Sequence, residues 1–226
     1  MAWSRTFQYM KADLGIWTGV DKSHTDQNLT RLPADVRGMI INQARREIAL
    51  RRDLHFFEAN TSFNTADGDV DYGVASDFLR PYQMWYYDSS NDNATVYLTQ
   101  KTRSEWRDFY SADADDEDEP AHYCLYGDQF YLAPVPDAVY TIYYDYYKFP
   151  SDLSANGDYD DFLVEGWDAI LWESCARACL YLMETTRIQQ FERKAEVALG
   201  YLSRDHARAT LSGARIQSKP GGTRKP

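Results

Sequence analysis

Residues 129–150, QFYLAPVPDAVYTIYYDYYKFP, constrain the rest of this chain most strongly. Two runs dense in aromatic and β-branched residues favour a pleated sheet over a helix. Proline presets φ and removes a donor, so Pro134 and Pro136 suit a connection better than a central ladder. The reading is a strand over 129–132, a tight Pro134-Val135-Pro136-Asp137 turn and a longer strand over 139–149, paired as a hairpin. Alternation places Tyr140, Ile142, Tyr144 and Tyr146 on one face of the second strand. Val139, Thr141, Tyr143, Asp145 and Tyr147 fall on the other. The chain is β-like before this stretch and helical after it.

Before it, Phe7, Met10 and Leu14 stand at helical spacing and predict a short amphipathic helix over 6–14. Residues 15–30 read as polar and irregular. Leu32-Pro33-Ala34-Asp35 then opens a helix, because proline is tolerated at a first helical position and Asp35 suits the positive N-terminal end. Val36, Ile40, Ala44 and Ile48 form its apolar stripe, with Arg45, Arg46, Arg51 and Arg52 off it. From residue 53 the period changes to short strands at 54–65, 84–87, 95–100 and 122–126. Turn-formers such as Ala66-Asp67-Gly68-Asp69 and Ser89-Ser90-Asn91-Asp92-Asn93 separate them. One helix over 101–110, where Trp106 and Phe109 to Tyr110 share a face, interrupts the series.

After Pro150 a loop leads to Asp158 or Asp160, either of which can cap a helix over 162–184. Leu163, Trp167, Ile170, Leu171, Cys175 and Ala178 share its apolar stripe. A break at Thr185 or Thr186 precedes a third long helix ending near Ala209. The expected class is α+β. An antiparallel core of three long helices, with the short N-terminal one as a fourth, carries an inserted antiparallel β domain, either a sandwich or a small barrel. The corresponding domains are 1–52 with 151–210, an inserted 53–150, and a flexible basic arm over 211–226. That arm carries Arg215, Lys219, Arg224 and Lys225 and no acid, a composition that stays disordered in isolation.

A net charge of −11 argues against general affinity for a polyanion. Six of its acids, Asp113, Asp115, Asp116, Glu117, Asp118 and Glu119, form one block that reads as a self-repelling, solvated loop. Three cysteines, Cys124, Cys175 and Cys179, make no disulfide framework and predict reduced, buried thiols in a cytoplasmic setting. No signal peptide and no membrane-spanning run are read. The chain holds none of G-x-x-x-x-G-K-[ST], G-x-G-x-x-G, G-x-S-x-G or H-E-x-x-H, and its four histidines stand singly. Asp67-Gly68-Asp69-Val70-Asp71 opens like a calcium loop but lacks the glycine and glutamate in register. No catalytic, cofactor or metal site is therefore assigned. The 18 tyrosines and 6 tryptophans read as interface as much as core.

The order of parts is informative. A Leu32-Pro33-opened helix, a β-rich insertion, Leu132-Ala133-Pro134-Val135-Pro136-Asp137-x-x-Tyr140-x-Ile142-x-Tyr144-x-Tyr146, Pro150-x-x-Leu153-Ser154 and two helices follow one another. This resembles the head-to-tail adaptor (connector) proteins of tailed bacteriophages over roughly residues 32–205. The resemblance implies a virion protein without an active site, set at the head–tail junction and assembled in the bacterial host cytoplasm. It implies a homo-oligomeric ring, commonly of twelve copies, beneath the portal protein. Tail or nozzle proteins would attach below, and DNA would pass through without specific binding. The basic arm matches the C-terminal extension that reaches the portal in such proteins. The alternatives are a carbohydrate-binding or glycan-degrading β domain on a helical scaffold, and a generic assembly or chaperone-like factor.

Overall fold

Two helices open the chain in a computed structural model that describes residues 5–20, 31–89, 92–109 and 117–216, with side chains of the last helix given to Arg204. Helix α1 (Phe7–Thr18) buries Phe7, Met10 and Leu14. It continues through Gly15 rather than stopping there, because its second half packs too: Trp17 meets Trp172 edge-on at 4.8 Å. The helix ends at Gly19, whose φ of 78° is the left-handed conformation that glycine adopts freely. Its amide and that of Val20 return to Ile16 and Gly15 carbonyls, each at 3.0 Å. Helix α2 (Ala34–Arg51) starts directly after Pro33, and its buried face includes Ile40, Ile41, Ala44 and Ile48. Arg45, expected off that face, is buried to 1% exposure. Its guanidinium donates to the Ser151 carbonyl at 2.8 Å and pairs with Asp160.

The chain then forms strands β1 (Glu58–Asn64), β2 (Asp71–Gly73), β3 (Phe78–Asp88), β4 (Ala94–Tyr97) and β5 (Thr99–Gln100). Helix α3 (Arg103–Phe109) comes next. Strands β6 (Glu117–Asp118), β7 (His122–Tyr126), β8 (Gln129–Ala133), β9 (Val135–Pro136) and β10 (Thr141–Lys148) complete this part. One four-stranded sheet has the order β1-β10-β3-β4 and is antiparallel throughout. A second has the order β2-β8-β7-β5, its β5–β7 pair being parallel. Neither sheet closes on itself, so the small-barrel alternative is corrected: both remain open.

The hairpin expected at 129–149 is corrected as well. Strands β8 and β10 lie in different sheets, and the Pro134-Val135-Pro136 connection carries the chain from one sheet to the other. The long aromatic strand β10 takes β1 and β3 as partners, Thr61 opposite Tyr144 and Trp85 opposite Tyr143. The ladder to β3 shifts register after Asp145 and after Tyr147, each time with the extra residue on β3, while β1 pairs with β10 in one register throughout. Tyr146 belongs to the core between the sheets, whereas Tyr147 is buried beside Tyr82 at 5.9 Å and Arg80. Pro81 is tolerated in β3 because β4 pairs only with residues 85–88, leaving that flank of the strand open.

One core joins the two sheets: Met84, Tyr86, Ile142 and Tyr144 from the first cluster with Tyr123, Phe130 and Leu132 from the second. Phe130 meets Tyr144 edge-on at 5.0 Å and Phe78 at 5.5 Å, a favourable aromatic geometry. Part of the tyrosine surplus thus lies inside, and each buried hydroxyl needs a partner at the margin. Tyr146 donates to Asp77 at 2.9 Å and Tyr86 to Glu119 at 3.1 Å. Tyr144 accepts the Ala75 amide at 3.0 Å.

Three more helices follow: α4 (Asp161–Glu165), α5 (Trp167–Tyr181) and α6 (Ile188–Ile216). The single helix expected over 162–184 is broken at Gly166. A β-carbon there would lie 2.7 Å from the Phe162 carbonyl oxygen, so only glycine permits the approach. Asp160 caps α4 by accepting the Leu163 amide at 2.7 Å. Helix α5 packs on α1, α2 and α6; Ile170, Leu171, Cys175 and Ala178 are buried on it, as are Phe191 and Leu199 on α6. An ionic ladder runs across these helices. Arg51 meets Glu173 at 2.6 Å and Glu196 at 3.1 Å, Arg52 meets Glu196 at 2.8 Å, and Arg177 pairs with Glu47. Helix α6 continues past the expected end near Ala209 to Ile216, since Gly213 only weakens a helix whereas the first proline comes at 220. The chain divides into two compact units, Met1–Phe56 with Pro150–Pro226, and Phe57–Phe149.

Candidate functional site

Chemistry-bearing side chains of the described residues do not converge on one site. Among the described residues no group of three or more His, Cys, Asp or Glu could hold a metal ion. Cys124, Cys175 and Cys179 are free and buried. Burial, then the neighbouring Cys179, pushes the Cys175 thiol far above its ordinary value, which keeps it protonated and inert. No described helix is long and apolar enough to cross a membrane. What the molecule offers is surface.

The acidic block is anchored at its C-terminal end. Glu117 and Asp118 form β6, which pairs in parallel with β9, Glu117 opposite Val135 and Asp118 opposite Pro136. The Ala121 amide adds a bond to the Ala133 carbonyl at 3.1 Å. The sheet-switching proline connection is therefore also the strap for this segment. Glu117, Asp118 and Glu119 are exposed. Glu119 accepts from Tyr86, whose hydroxyl is pushed up by burial first and by that carboxylate second. Tyr140, edge-on to Tyr86 at 5.3 Å, donates to Asp137 at 2.7 Å and is raised for the same two reasons. Asp113, Asp115 and Asp116 lie outside the described residues.

The basic arm is described only in part. Arg215 lies on the α6 backbone, while Lys219, Arg224 and Lys225 lie outside the described residues.

Two surfaces went unread in the sequence. On the outer face of the first sheet, Trp85 stacks on Tyr143 at 6.1 Å, Tyr87 meets Tyr143 at 5.5 Å, and Tyr97 stands opposite Trp85. Alternation could have found this row, since Tyr143 sits on the face of β10 opposite Ile142 and Tyr144. The second surface is a groove of about 610 Å³ between α5 and α6, floored by Ala169, Trp172 and Ala198 and flanked by Val197, Tyr201 and Leu202. Lys194 crosses its wall with its ammonium 4.3 Å from the Trp172 ring and 5.2 Å from that of Trp17. Val197 and Tyr201 recur at i, i+4 on α6, and that spacing was the available signal.

The family model described as SU10 adaptor protein matches residues 5–217, across both compact units. No curated protein is significantly similar to the chain.

Proposed function

Because the chain belongs to the SU10 adaptor protein family, a family of bacteriophage structural adaptors that implies oligomerisation and contact with portal and tail proteins at the virion head–tail junction, we propose that it assembles as a ring beneath the portal. In this role it extends the DNA channel and forms the platform on which the tail is built. The family match over residues 5–217 carries this reading. Twelve copies is the number proposed.

The charge distribution supports roles for two segments of the chain. Arg215, Lys219, Arg224 and Lys225 dock the C-terminal segment into the portal, where a basic arm gains contacts that offset its ordering entropy. The acidic segment Asp113, Asp115, Asp116, Glu117, Asp118 and Glu119 faces the channel or the tail. A carboxylate-lined channel repels phosphates and lets DNA slide, whereas a basic one grips it through counterion release. Neither role calls for catalysis or a cofactor.

Sedimentation of the purified chain with isolated portal rings tests the proposal. Co-sedimentation at a fixed stoichiometry is expected, weakened when residues 217–226 are removed. Full binding by the truncated chain overturns the docking role of that segment, and no binding by the intact chain overturns the adaptor reading.

A further inference from the structure

Helix α5 ends in the same hydrogen-bonded motif as α1, with one difference. The Met183 amide returns to the Leu180 carbonyl at 3.1 Å and that of Glu184 to Cys179 at 2.8 Å, the pairing that closes a helix around one left-handed residue. At the end of α1 that residue is Gly19. At the end of α5 it is Met183, with φ 59°. A side chain is strained there, and glycine would relieve it. Met183 is nevertheless 88% exposed and makes a protruding apolar knob with exposed Leu180 and Tyr181. Folding of the helical unit does not explain a strained residue whose side chain lies in solvent.

We infer that this knob is one half of the contact between neighbouring copies of the chain, and that the α5–α6 groove of the next copy is the other half. A closed ring needs a heterologous interface, in which two different and complementary surfaces sit on every subunit. The helical unit carries such a pair. The knob is apolar and exposed; the groove has an apolar floor, is bordered by Glu165, Asp168, Arg193 and Lys194, and is large enough for a methionine with a neighbouring side chain. They sit towards opposite ends of α5, roughly 16 Å apart along its axis at the usual rise per residue. One copy therefore does not fill its own groove, and head-to-tail addition leaves each new copy with one of each surface. A lone knob covers less than the roughly 800 Å² per partner of a standard interface, so it is the anchor within a wider contact.

The inference rests on the oligomeric reading above, and two variants separate the two. Met183→Gly removes the knob and the strain together. It is expected to raise the melting temperature of the free chain by about 2–4 °C while weakening self-association about tenfold or more. A folding defect cannot produce that combination. Met183→Cys with Val197→Cys, oxidised after assembly, is expected to give a covalent ladder beyond the dimer, the native thiols being buried. Cross-links that stop at the dimer overturn the heterologous contact. Rings of the double-cysteine variant that stay unlinked on oxidation, or undiminished rings from Met183→Gly, overturn the knob-and-groove assignment and leave the ring itself standing. A wild-type chain that stays monomeric with and without portal rings contradicts the oligomeric reading first.

Discussion

Arg45, fully buried on α2, is paired with Asp160, the residue whose other carboxylate oxygen caps α4. One carboxylate thus neutralises a buried cation and satisfies a helix N-terminus. Breaking such a pair from one side leaves an uncompensated charge. Asp160→Ala should lower stability by roughly 3 kcal/mol, the low end for a buried pair because Asp160 is partly exposed. Asp160→Asn keeps the cap and should recover about 1 kcal/mol of that. Urea unfolding of both variants measures this, and an alanine variant within about 0.5 kcal/mol of wild type contradicts it.

Glu173 holds the ionic ladder from a buried position, its side chain 8% exposed beside Arg51 and Arg177. Its removal should be felt at high salt as well as low, because buried pairs are weakly screened. Glu173→Gln is expected to destabilise by about 2–3 kcal/mol, with little change between low and high ionic strength. The exposed Arg46–Asp152 pair at 2.9 Å should give less than about 1 kcal/mol and vanish in salt. Equal effects at the two sites remove the distinction.

At Gly166 the argument is steric alone, since its φ of −85° is open to any residue. An added methyl meets both the Phe162 carbonyl and its ring, at 2.7 and 2.8 Å. Gly166→Ala should therefore cost about 2–3 kcal/mol, whereas alanine at Gly157, where nothing lies within 4 Å, should change stability by less than about 0.5 kcal/mol. Thermal melts of the pair compare them.

These sites show why part of the fold was legible in the sequence and part was not. Helix α2 carries its own 3.6-residue period and a proline at its start, and β10 its own alternation, so both are local properties. The partners of β10 are not. Pro134-Val135-Pro136-Asp137 has the length and chemistry of a hairpin turn, and only the packing of Phe130 against Tyr144 from another sheet reveals a corner instead. Arg45 stands off the apolar stripe by its spacing, and the partner that lets it be buried lies more than a hundred residues away. Met183 was missed for a related reason. A helix end without glycine gives no stop signal, so the strain there is visible only in the backbone.

Alkaline pH should undo the β-rich unit. Burial first, and the Asp77 hydrogen bond second, push Tyr146 from 10.0 up to about 12, and burial raises Tyr86, Tyr123 and Tyr144 in the same core. Above pH 10 the unfolded chain releases protons that the folded chain retains. The stability contributed by these groups is complete below pH 10 and, for Tyr146, is lost as pH rises from 10 to about 12. Unfolding free energy measured from pH 8 to 12 should be flat and then fall, with a shallower fall in Tyr146→Phe. Constant stability across pH 10–12 contradicts the assignment.

Electron microscopy of the purified chain mixed with isolated portal rings tests the central claim most directly. The account predicts a second ring of closed rotational symmetry, coaxial with the portal, with the 217–226 segment at the portal side. Portal particles that stay bare at micromolar chain concentration, with the chain itself folded and monomeric, would contradict it.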